Sequence, residues 1–143
     1  MPLSRITTRT PEETKRVAAA LRPLLKPGTV IALHGELGSG KTCFVSGLAE
    51  ALHCREPASS PTFTLMNEYA GDLSLFHADA YRLEDAADFL RAGLAEYFER
   101  DGVFVIEWAE RIAPLLPDHT LHIRFHVSGT HGERAIEIEE PGP

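Results

Sequence analysis

Apolar residues follow two different spacings along the chain, and each spacing predicts one kind of element. Two short runs, Val30–Leu33 and Val103–Ile106, are apolar at every position. Unbroken apolar runs of this length are typical of strands buried on both faces of a parallel sheet. Between them, a segment running to about His53 has apolar residues at helical spacing, namely Phe44, Val45, Leu48, Ala49 and Leu52. The pattern predicts a buried strand, a helix and, later, a second buried strand.

Alternation of apolar and polar residues predicts two antiparallel hairpins. The extended runs Phe63–Tyr69 and Leu73–Asp79 are joined by a short connection that contains Gly-Asp. Leu121–Val127 alternates strictly and is followed by a glycine-containing turn, after which isoleucine and glutamate alternate over residues 136–139. Short connections between extended runs favour hairpins, and the strict alternation of the second one indicates a solvated face.

The beginning of the chain carries a helix start signal. Thr10 is followed directly by Pro11 and three positions later by Glu13, the arrangement of a capping box with proline at the first helical position. Pro23 conflicts with a continuing helix, so we expect this helix to kink there or to end near Leu21. Two further short helices are expected on either side of a glycine, Ala86–Ala92 and Leu94–Arg100.

The most informative stretch joins the first buried strand to the following helix. Gly35–Thr42 reads GELGSGKT and fits G-x-x-x-x-G-K-[ST], the phosphate-binding loop of nucleotide triphosphatases. In such a loop, glycines bring backbone N–H groups close to the phosphates at a helix N-terminus. Lys41 would reach the β- and γ-phosphates, and the Thr42 hydroxyl would ligate Mg²⁺. The residues expected to contact the nucleotide here are Glu36, Leu37, Gly38, Ser39, Gly40, Lys41, Thr42 and Cys43.

These elements together predict the fold class. A strand, a phosphate loop, a helix and a later buried strand indicate an α/β fold of the P-loop NTPase kind, with three layers and right-handed crossovers. The two hairpins add antiparallel strands, so the sheet is expected to be mixed and mostly parallel. With 143 residues and no long linker, the chain is expected to form a single domain over residues 1–143.

Three residues outside the loop are candidates for the chemistry. Glu107 directly follows the second buried strand, where nucleotide triphosphatases place an acidic residue, usually aspartate, near Mg²⁺. Asp79 ends a predicted strand and either polarises a water or caps the next helix. Thr62, in the loop before a strand, either senses the γ-phosphate or is a simple turn residue. The general base stays open among Asp79, Glu110 and a positioned water.

The base of the nucleotide is expected to be adenine. Guanine-specific proteins usually carry an Asn-Lys-x-Asp segment, and the sequence has none. Trp108 and Arg134 are candidates for contacts on the base side of the site. Trp108 is equally a candidate core residue at the end of an element, and the sequence leaves both interpretations open.

The histidines are expected to have packing or hydrogen-bonding roles. His34 and His77, with Asp79, carry metal-ligating atoms, but isolated histidines of this kind seldom form a transition-metal site, and we predict none here. His122 and His126 share a face of one predicted strand and are expected to lie in solvent.

Composition limits the partners. The formal net charge is −7 and no run of four basic residues occurs, whereas binding to nucleic acid relies on clustered Lys and Arg. We therefore do not expect the chain to hold DNA or RNA by itself. The N-terminal residues lack the apolar core of a signal peptide and no apolar segment could span a bilayer, so a cytoplasmic protein without membrane contact is expected. Cys43 and Cys54 would lie about 16 Å apart on one helix, too far for a disulfide.

Four segments, in their order and spacing, resemble the TsaE family, formerly called YjeE: GELGSGKT, SPTFTL at 60–65, HADAYRL at 77–83 and IEWAERI at 106–112. The resemblance covers almost the whole chain. It implies a small bacterial ATPase that uses ATP and Mg²⁺ in threonylcarbamoyladenosine modification of tRNA. Its partners would be TsaB and TsaD, of which TsaD transfers the threonylcarbamoyl group. ATP hydrolysis would reset that complex for further turnovers, and tRNA would be contacted only indirectly.

The resemblance also assigns roles to matching positions. Lys41 would bind the phosphates, while Thr42 and Glu107 would hold Mg²⁺. Asp79 falls on the family's acidic position and becomes a catalytic or metal-network residue. The resemblance further implies a switch-like loop at Thr62 and a nucleotide contact just before the first helix, at Thr10–Glu13.

Two other functions use the same loop. A small-molecule kinase would bind ATP in the same way, but it usually has an arginine-rich lid, and the sequence has no insertion of that kind. A nucleotide-dependent binding module would hydrolyse ATP only incidentally. In that case Lys41→Ala would abolish partner function, whereas Glu107→Ala would leave it intact.

Overall fold

The computed structural model describes residues 3–35, 40–58, 65–127 and 133–141. Its strands are β1 Leu3–Thr8, β2 Val30–His34, β3 Met66–Tyr69, β4 Leu75–Asp79, β5 Val103–Glu107, β6 Leu121–Val127 and β7 Arg134–Glu139. Its α-helices are α1 Pro11–Ala20, α2 Lys41–Ala51 and α3 Ala86–Arg91. Short 3-10 helices occupy Arg22–Leu24, Leu94–Glu99 and Ala109–Leu115.

All the described strands form one mixed sheet in the order β1-β7-β6-β2-β5-β4-β3. The four central strands, β6, β2, β5 and β4, run parallel, while β3 pairs antiparallel with β4, and β7 with both β6 and β1. The predicted fold class, an α/β P-loop NTPase-like fold with a mixed sheet, is confirmed. Because the central strands are parallel, their carboxyl ends meet at one edge, where α/β folds bind ligands.

Helices cover both faces of the sheet. On β5, Val103 and Val105 face the layer of α1 and α2, while Phe104 and Ile106 face the layer of α3 and the 3-10 helices. Burial on both faces explains why this strand is apolar at every position. In the part of the chain described, no helix has both the length and the apolar composition that crossing a membrane requires.

The observed elements differ from the predicted ones mainly at their ends. The first helix ends as expected, with Leu21 as its C-cap. The helix after the phosphate loop ends at Ala51, so Cys54 lies beyond it. The distance of 16 Å predicted for Cys43 and Cys54 on one helix therefore does not apply, and neither cysteine forms a disulfide. The short helix predicted over Leu94–Arg100 is a 3-10 helix that ends at Glu99.

Strand β1 was not predicted from the pattern. It is exposed at five of its six positions, so it carries no apolar alternation. Its residues pair with β7 from Leu3↔Glu139 to Thr8↔Arg134, at the edge of the sheet. The turn predicted after Leu121–Val127, at residues 128–132, lies outside the described residues.

Gly47 lets α1 and α2 approach closely beneath the sheet. A Cβ at this position would lie 2.8 Å from both Ala18 Cβ and Lys15 Cα. Gly47→Ala would gain helix propensity, but the clash involves backbone and a short side chain that cannot move away. We expect a loss of about 1–3 kcal/mol in the free energy of unfolding, measured by urea denaturation. Ser46→Ala, on the same helix, is the control, and a Gly47→Ala variant as stable as the wild type would contradict the close packing.

Candidate functional site

The phosphate-loop sequence lies between the carboxyl end of β2 and the start of α2. At its two ends, Gly35 and Gly40 have φ angles of 146° and 103°, backbone conformations that residues with a Cβ rarely adopt. Gly40 is the N-cap of α2, and because glycine has no side chain it makes no capping hydrogen bond to the first N–H groups of this helix. Glu36, Leu37, Gly38 and Ser39 lie outside the described residues.

Lys41 is buried at the start of α2, with only 4% of its surface exposed. Its Nζ donates a hydrogen bond to the carbonyl oxygen of Gly35 at 2.6 Å and lies 4.3 Å from the centre of the Trp108 ring. It forms no ion pair with any residue of the described ranges. Burial lowers the pKa of Lys41, while the nearby carboxylates Glu107 and Glu110 act in the opposite direction. A buried ammonium group without an ion-pair partner favours binding of an anion beside it.

Asp79 and Glu107 lie side by side at the carboxyl ends of β4 and β5, where the parallel register pairs them. Glu107 is only 6% exposed and its Oε2 lies 2.6 Å from His77 Nε2. Asp79 Oδ1 accepts a hydrogen bond from the backbone N–H of Tyr81 at 2.9 Å. Burial raises the pKa of Asp79; the Tyr81 hydrogen bond opposes this shift and the charge of Glu107 adds to it. The structure thus brings Lys41, Asp79 and Glu107 to one end of the sheet, as the sequence predicts.

The raised pKa of Asp79 gives a test of stability against pH. The carboxyl group of Asp79 ionises at about 3.8, its usual pKa, in the unfolded chain, but only at a higher pH in the folded protein. The free energy of unfolding therefore falls as the pH rises from 3.8 to the folded-state pKa, and it stays lowered above that pH. Asp79→Asn keeps the acceptor for Tyr81 and removes that loss of stability. We expect it to raise the free energy of unfolding at neutral pH, with the gain disappearing as the pH falls below 3.8. The exposed Asp118→Asn is the control, and a gain that does not vary with pH would contradict the burial of this charge.

Three of the residues predicted to contact the nucleotide lie together. Thr10, Cys43 and Arg134 line a small pocket of about 80 Å³ beside Gly40. Thr10 is the N-cap of α1, and its hydroxyl accepts a hydrogen bond from Glu13 N. Cys43 directly follows the phosphate loop in sequence, whereas only the fold brings Thr10 and Arg134 next to it.

Trp108 lies in a different cleft from these residues. With Gly35, Glu110 and other residues, it lines a cavity of about 470 Å³. Its backbone is left-handed, with φ 56°, and its ring packs against Tyr81 with centroids 5.0 Å apart. Among the described residues, the cation closest to its ring is Lys41. Thr42 is exposed on the first turn of α2, and Thr62 lies outside the described residues.

The prediction that His122 is solvated is wrong. His122 Nδ1 is hydrogen-bonded to His34 Nε2 at 3.0 Å, and the two rings stack with centroids 5.3 Å apart. His34 Nδ1 also lies 3.2 Å from Glu110 Oε2. Burial lowers the pKa of both histidines. The parallel pairing of β2 with β6 creates this chain of hydrogen bonds, which no local signal in the sequence indicates, whereas His126 is exposed as expected.

The histidines considered as metal ligands are used for hydrogen bonds. His34 contacts His122 and Glu110, and His77 contacts Glu107. Over the described ranges, no group of three or more His, Cys, Asp or Glu side chains is arranged to hold a metal ion by itself. A site for Mg²⁺ needs fewer protein ligands, because this ion usually takes one or two carboxylates together with phosphate oxygens and water.

Comparison with known proteins identifies the family. A family model described as "Threonylcarbamoyl adenosine biosynthesis protein TsaE" matches residues 8–136. The chain is 43% identical over 134 residues to a tRNA threonylcarbamoyladenosine biosynthesis protein TsaE from Treponema pallidum, covering 94% of this chain and 98% of that protein. A protein of the same name from Bacillus subtilis is 47% identical over 133 residues, covering 92% of this chain and 82% of that protein.

A solved structure gives the same result for the fold. The crystal structure of YdiB from Bacillus subtilis superposes with a TM-score of 0.81 at 38% sequence identity, covering 99% of this chain and 87% of that one. The resemblance seen in the four sequence segments is thereby confirmed over nearly the full length. This chain belongs to the TsaE family of tRNA threonylcarbamoyladenosine biosynthesis proteins.

Proposed function

We propose that this chain binds and hydrolyses ATP with Mg²⁺, and that it supplies this activity to threonylcarbamoyladenosine modification of tRNA through a complex with TsaB and TsaD. The observation that carries the proposal is the buried Lys41 ammonium group, whose hydrogen bond goes to a backbone carbonyl and not to a carboxylate. A fold does not keep such a charge for stability, since burial of an unpaired cation is costly. A triphosphate would place an anion in direct contact with this ammonium group.

The start of α2 suits phosphate binding in two further ways. Its N-cap is a glycine with positive φ, so the backbone can approach an anion closely without a Cβ in the way. The positive end of the helix dipole points in the same direction as the uncapped N–H groups. Lys41 and the backbone around Gly40 would therefore hold the phosphates, and Thr10, Cys43 and Arg134 would line the base side.

Residues at the start of α2 and at the carboxyl end of β5 fit Mg²⁺. Thr42 offers a hydroxyl oxygen and Glu107 a carboxylate, both hard oxygen donors of the kind that Mg²⁺ prefers. His77 occupies Oε2 of Glu107, and Oε1 makes no hydrogen bond to a described residue. When bound, Mg²⁺ would neutralise charge on the phosphate oxygens. Asp79 and Glu110 both remain candidates for orienting the attacking water, and Thr62 remains a prediction.

The charge of the chain supports a role through protein partners. The net charge of −7 and the absence of a run of four basic residues in the sequence argue against direct binding of tRNA or DNA, which relies on clustered Lys and Arg. The TsaE relatives are named for tRNA threonylcarbamoyladenosine biosynthesis. We therefore assign the contact with tRNA to TsaB and TsaD, and place the activity in the cytoplasm without membrane contact.

ATP hydrolysis measured with and without a purified TsaB–TsaD complex tests this function. We expect Mg²⁺-dependent release of inorganic phosphate that increases when TsaB–TsaD is added. Absence of hydrolysis under both conditions would contradict the ATPase function. Transfer of the γ-phosphate to a metabolite in the absence of partner proteins would instead indicate a kinase.

A further inference from the structure

His77 is the least exposed of the buried polar side chains in the described residues, at 1%. It lies in the middle of β4, and its Nε2 is 2.6 Å from Glu107 Oε2 on the neighbouring strand. Its other ring nitrogen, Nδ1, is buried and has no hydrogen-bond partner among the residues described. All the hydrogen bonding of this ring is thus directed at a single carboxylate, the one assigned to Mg²⁺.

The unpartnered Nδ1 indicates which nitrogen carries the hydrogen. A neutral imidazole has one N–H donor and one acceptor nitrogen. A hydrogen on Nδ1 would be buried without an acceptor, and Nε2 would then present a lone pair to the carboxylate. A hydrogen on Nε2 instead makes a short hydrogen bond to Glu107 Oε2 and leaves only a lone pair unsatisfied. His77 is therefore expected to be the Nε2–H tautomer and a donor to Glu107.

The sheet keeps this donor in place. Parallel pairing aligns His77 with Val105 and Asp79 with Glu107, so the histidine ring lies two residues before the carboxylates and on the same face of the sheet. Val105 and Leu75 on the same face belong to the core against α2. Because the ring is packed on all sides, it has little freedom to release the carboxylate.

We propose that His77 is a positioning residue, whose Nε2–H holds Oε2 of Glu107 and thereby leaves Oε1 oriented for Mg²⁺. This role rests on the proposed function, because it has meaning only if Glu107 binds the metal. Groups that hydrogen-bond to a metal ligand fix its orientation, and their removal typically lowers metal affinity about 10- to 100-fold. A merely structural histidine would affect stability and leave metal affinity unchanged.

Three variants of the full-length chain separate these possibilities. In His77→Gln, the side-chain amide nitrogen lies about as far from the backbone as Nε2 of histidine. In His77→Asn, the amide nitrogen lies one bond closer to the backbone and should not reach Glu107. His77→Leu has no hydrogen-bond donor. Binding of Mn²⁺, followed by electron paramagnetic resonance in the presence of ADP, reports the metal directly. We expect His77→Leu and His77→Asn to bind Mn²⁺ about 10- to 100-fold more weakly than the wild type, and His77→Gln to bind it nearly as well. ADP affinity measured in EDTA should be equal in all four proteins.

Several outcomes would overturn the positioning role. Folded His77→Leu or His77→Asn with wild-type Mn²⁺ affinity would do so, as would His77→Gln as weak as the others. If His77→Leu does not fold, the comparison of the Gln and Asn variants decides. Nitrogen-15 spectra of the histidine ring in the wild type should show the Nε2–H tautomer, and the opposite tautomer would also overturn the role. Wild-type protein that binds no Mn²⁺ with ADP would instead contradict the proposed function itself.

Discussion

Lys41→Met is expected to lower the affinity for ATP by at least about 100-fold without harming the fold. Each hydrogen bond from an ammonium to a charged phosphate contributes about 1.5 kcal/mol or more, and Lys41 is assigned to two phosphates. Loss of about 3 kcal/mol corresponds to roughly 100-fold in the dissociation constant. Isothermal titration calorimetry with ATP and Mg²⁺ measures the effect.

The same substitution should leave stability unchanged or increase it. Lys41 is buried without an ion-pair partner in the described residues, and methionine fills a similar volume without a charge to desolvate. Urea denaturation should therefore give a free energy of unfolding at or above that of the wild type. Lys26→Met, at an exposed lysine before the amino end of β2 and so at the opposite end of this strand from the loop, is the control for both measurements. Wild-type ATP affinity in folded Lys41→Met would contradict the assignment of Lys41 to the phosphates.

Glu107→Gln is expected to reduce ATP hydrolysis by about 10²- to 10³-fold, the range seen when one group that stabilises a transition state is removed. Glutamine keeps the shape of the side chain and an oxygen that can accept the hydrogen bond from His77, but it removes the charge that attracts Mg²⁺. Binding of ATP in EDTA should therefore remain close to that of the wild type. Release of inorganic phosphate and calorimetric titration provide the two readings.

The control for this variant is Glu96→Gln, an exposed carboxylate paired with Arg100 on a 3-10 helix. It should hydrolyse ATP at the wild-type rate. Unchanged hydrolysis by Glu107→Gln would exclude Glu107 as the metal ligand. Equal loss of ATP binding in EDTA and of hydrolysis would show that Glu107 supports the shape of the site and does not act through the metal.

Local patterns in the sequence predict most of the central fold. The apolar runs of β2 and β5 are buried on both faces, and the alternation of β6 and β7 follows from a face turned towards the core. Strand β1 was not predicted because it is an exposed edge strand that pairs with β7 through its backbone. Its sequence therefore has no regular spacing of apolar residues.

The candidate site was predictable where residues adjoin a strand end. Lys41, Asp79 and Glu107 each follow or end a recognisable element, and parallel strands bring such positions to one edge. The hydrogen bonds of His77 to Glu107 and of His34 to His122 could not be predicted, because each depends on the register between strands 30 and 88 residues apart. The meeting of Thr10 and Arg134 in one pocket likewise depends on packing between distant elements.

A reconstituted modification assay tests most directly whether ATP hydrolysis by this chain drives threonylcarbamoyladenosine formation. Purified TsaB–TsaD, an excess of unmodified tRNA and the threonylcarbamoyl donor would be combined with wild-type chain or with Glu107→Gln, and modified tRNA would be counted per TsaD. We expect the wild type to sustain many rounds of modification and Glu107→Gln to stop after the first round. Equal yields over many rounds, with hydrolysis abolished in the variant, would contradict a role for hydrolysis and leave a nucleotide-dependent binding module.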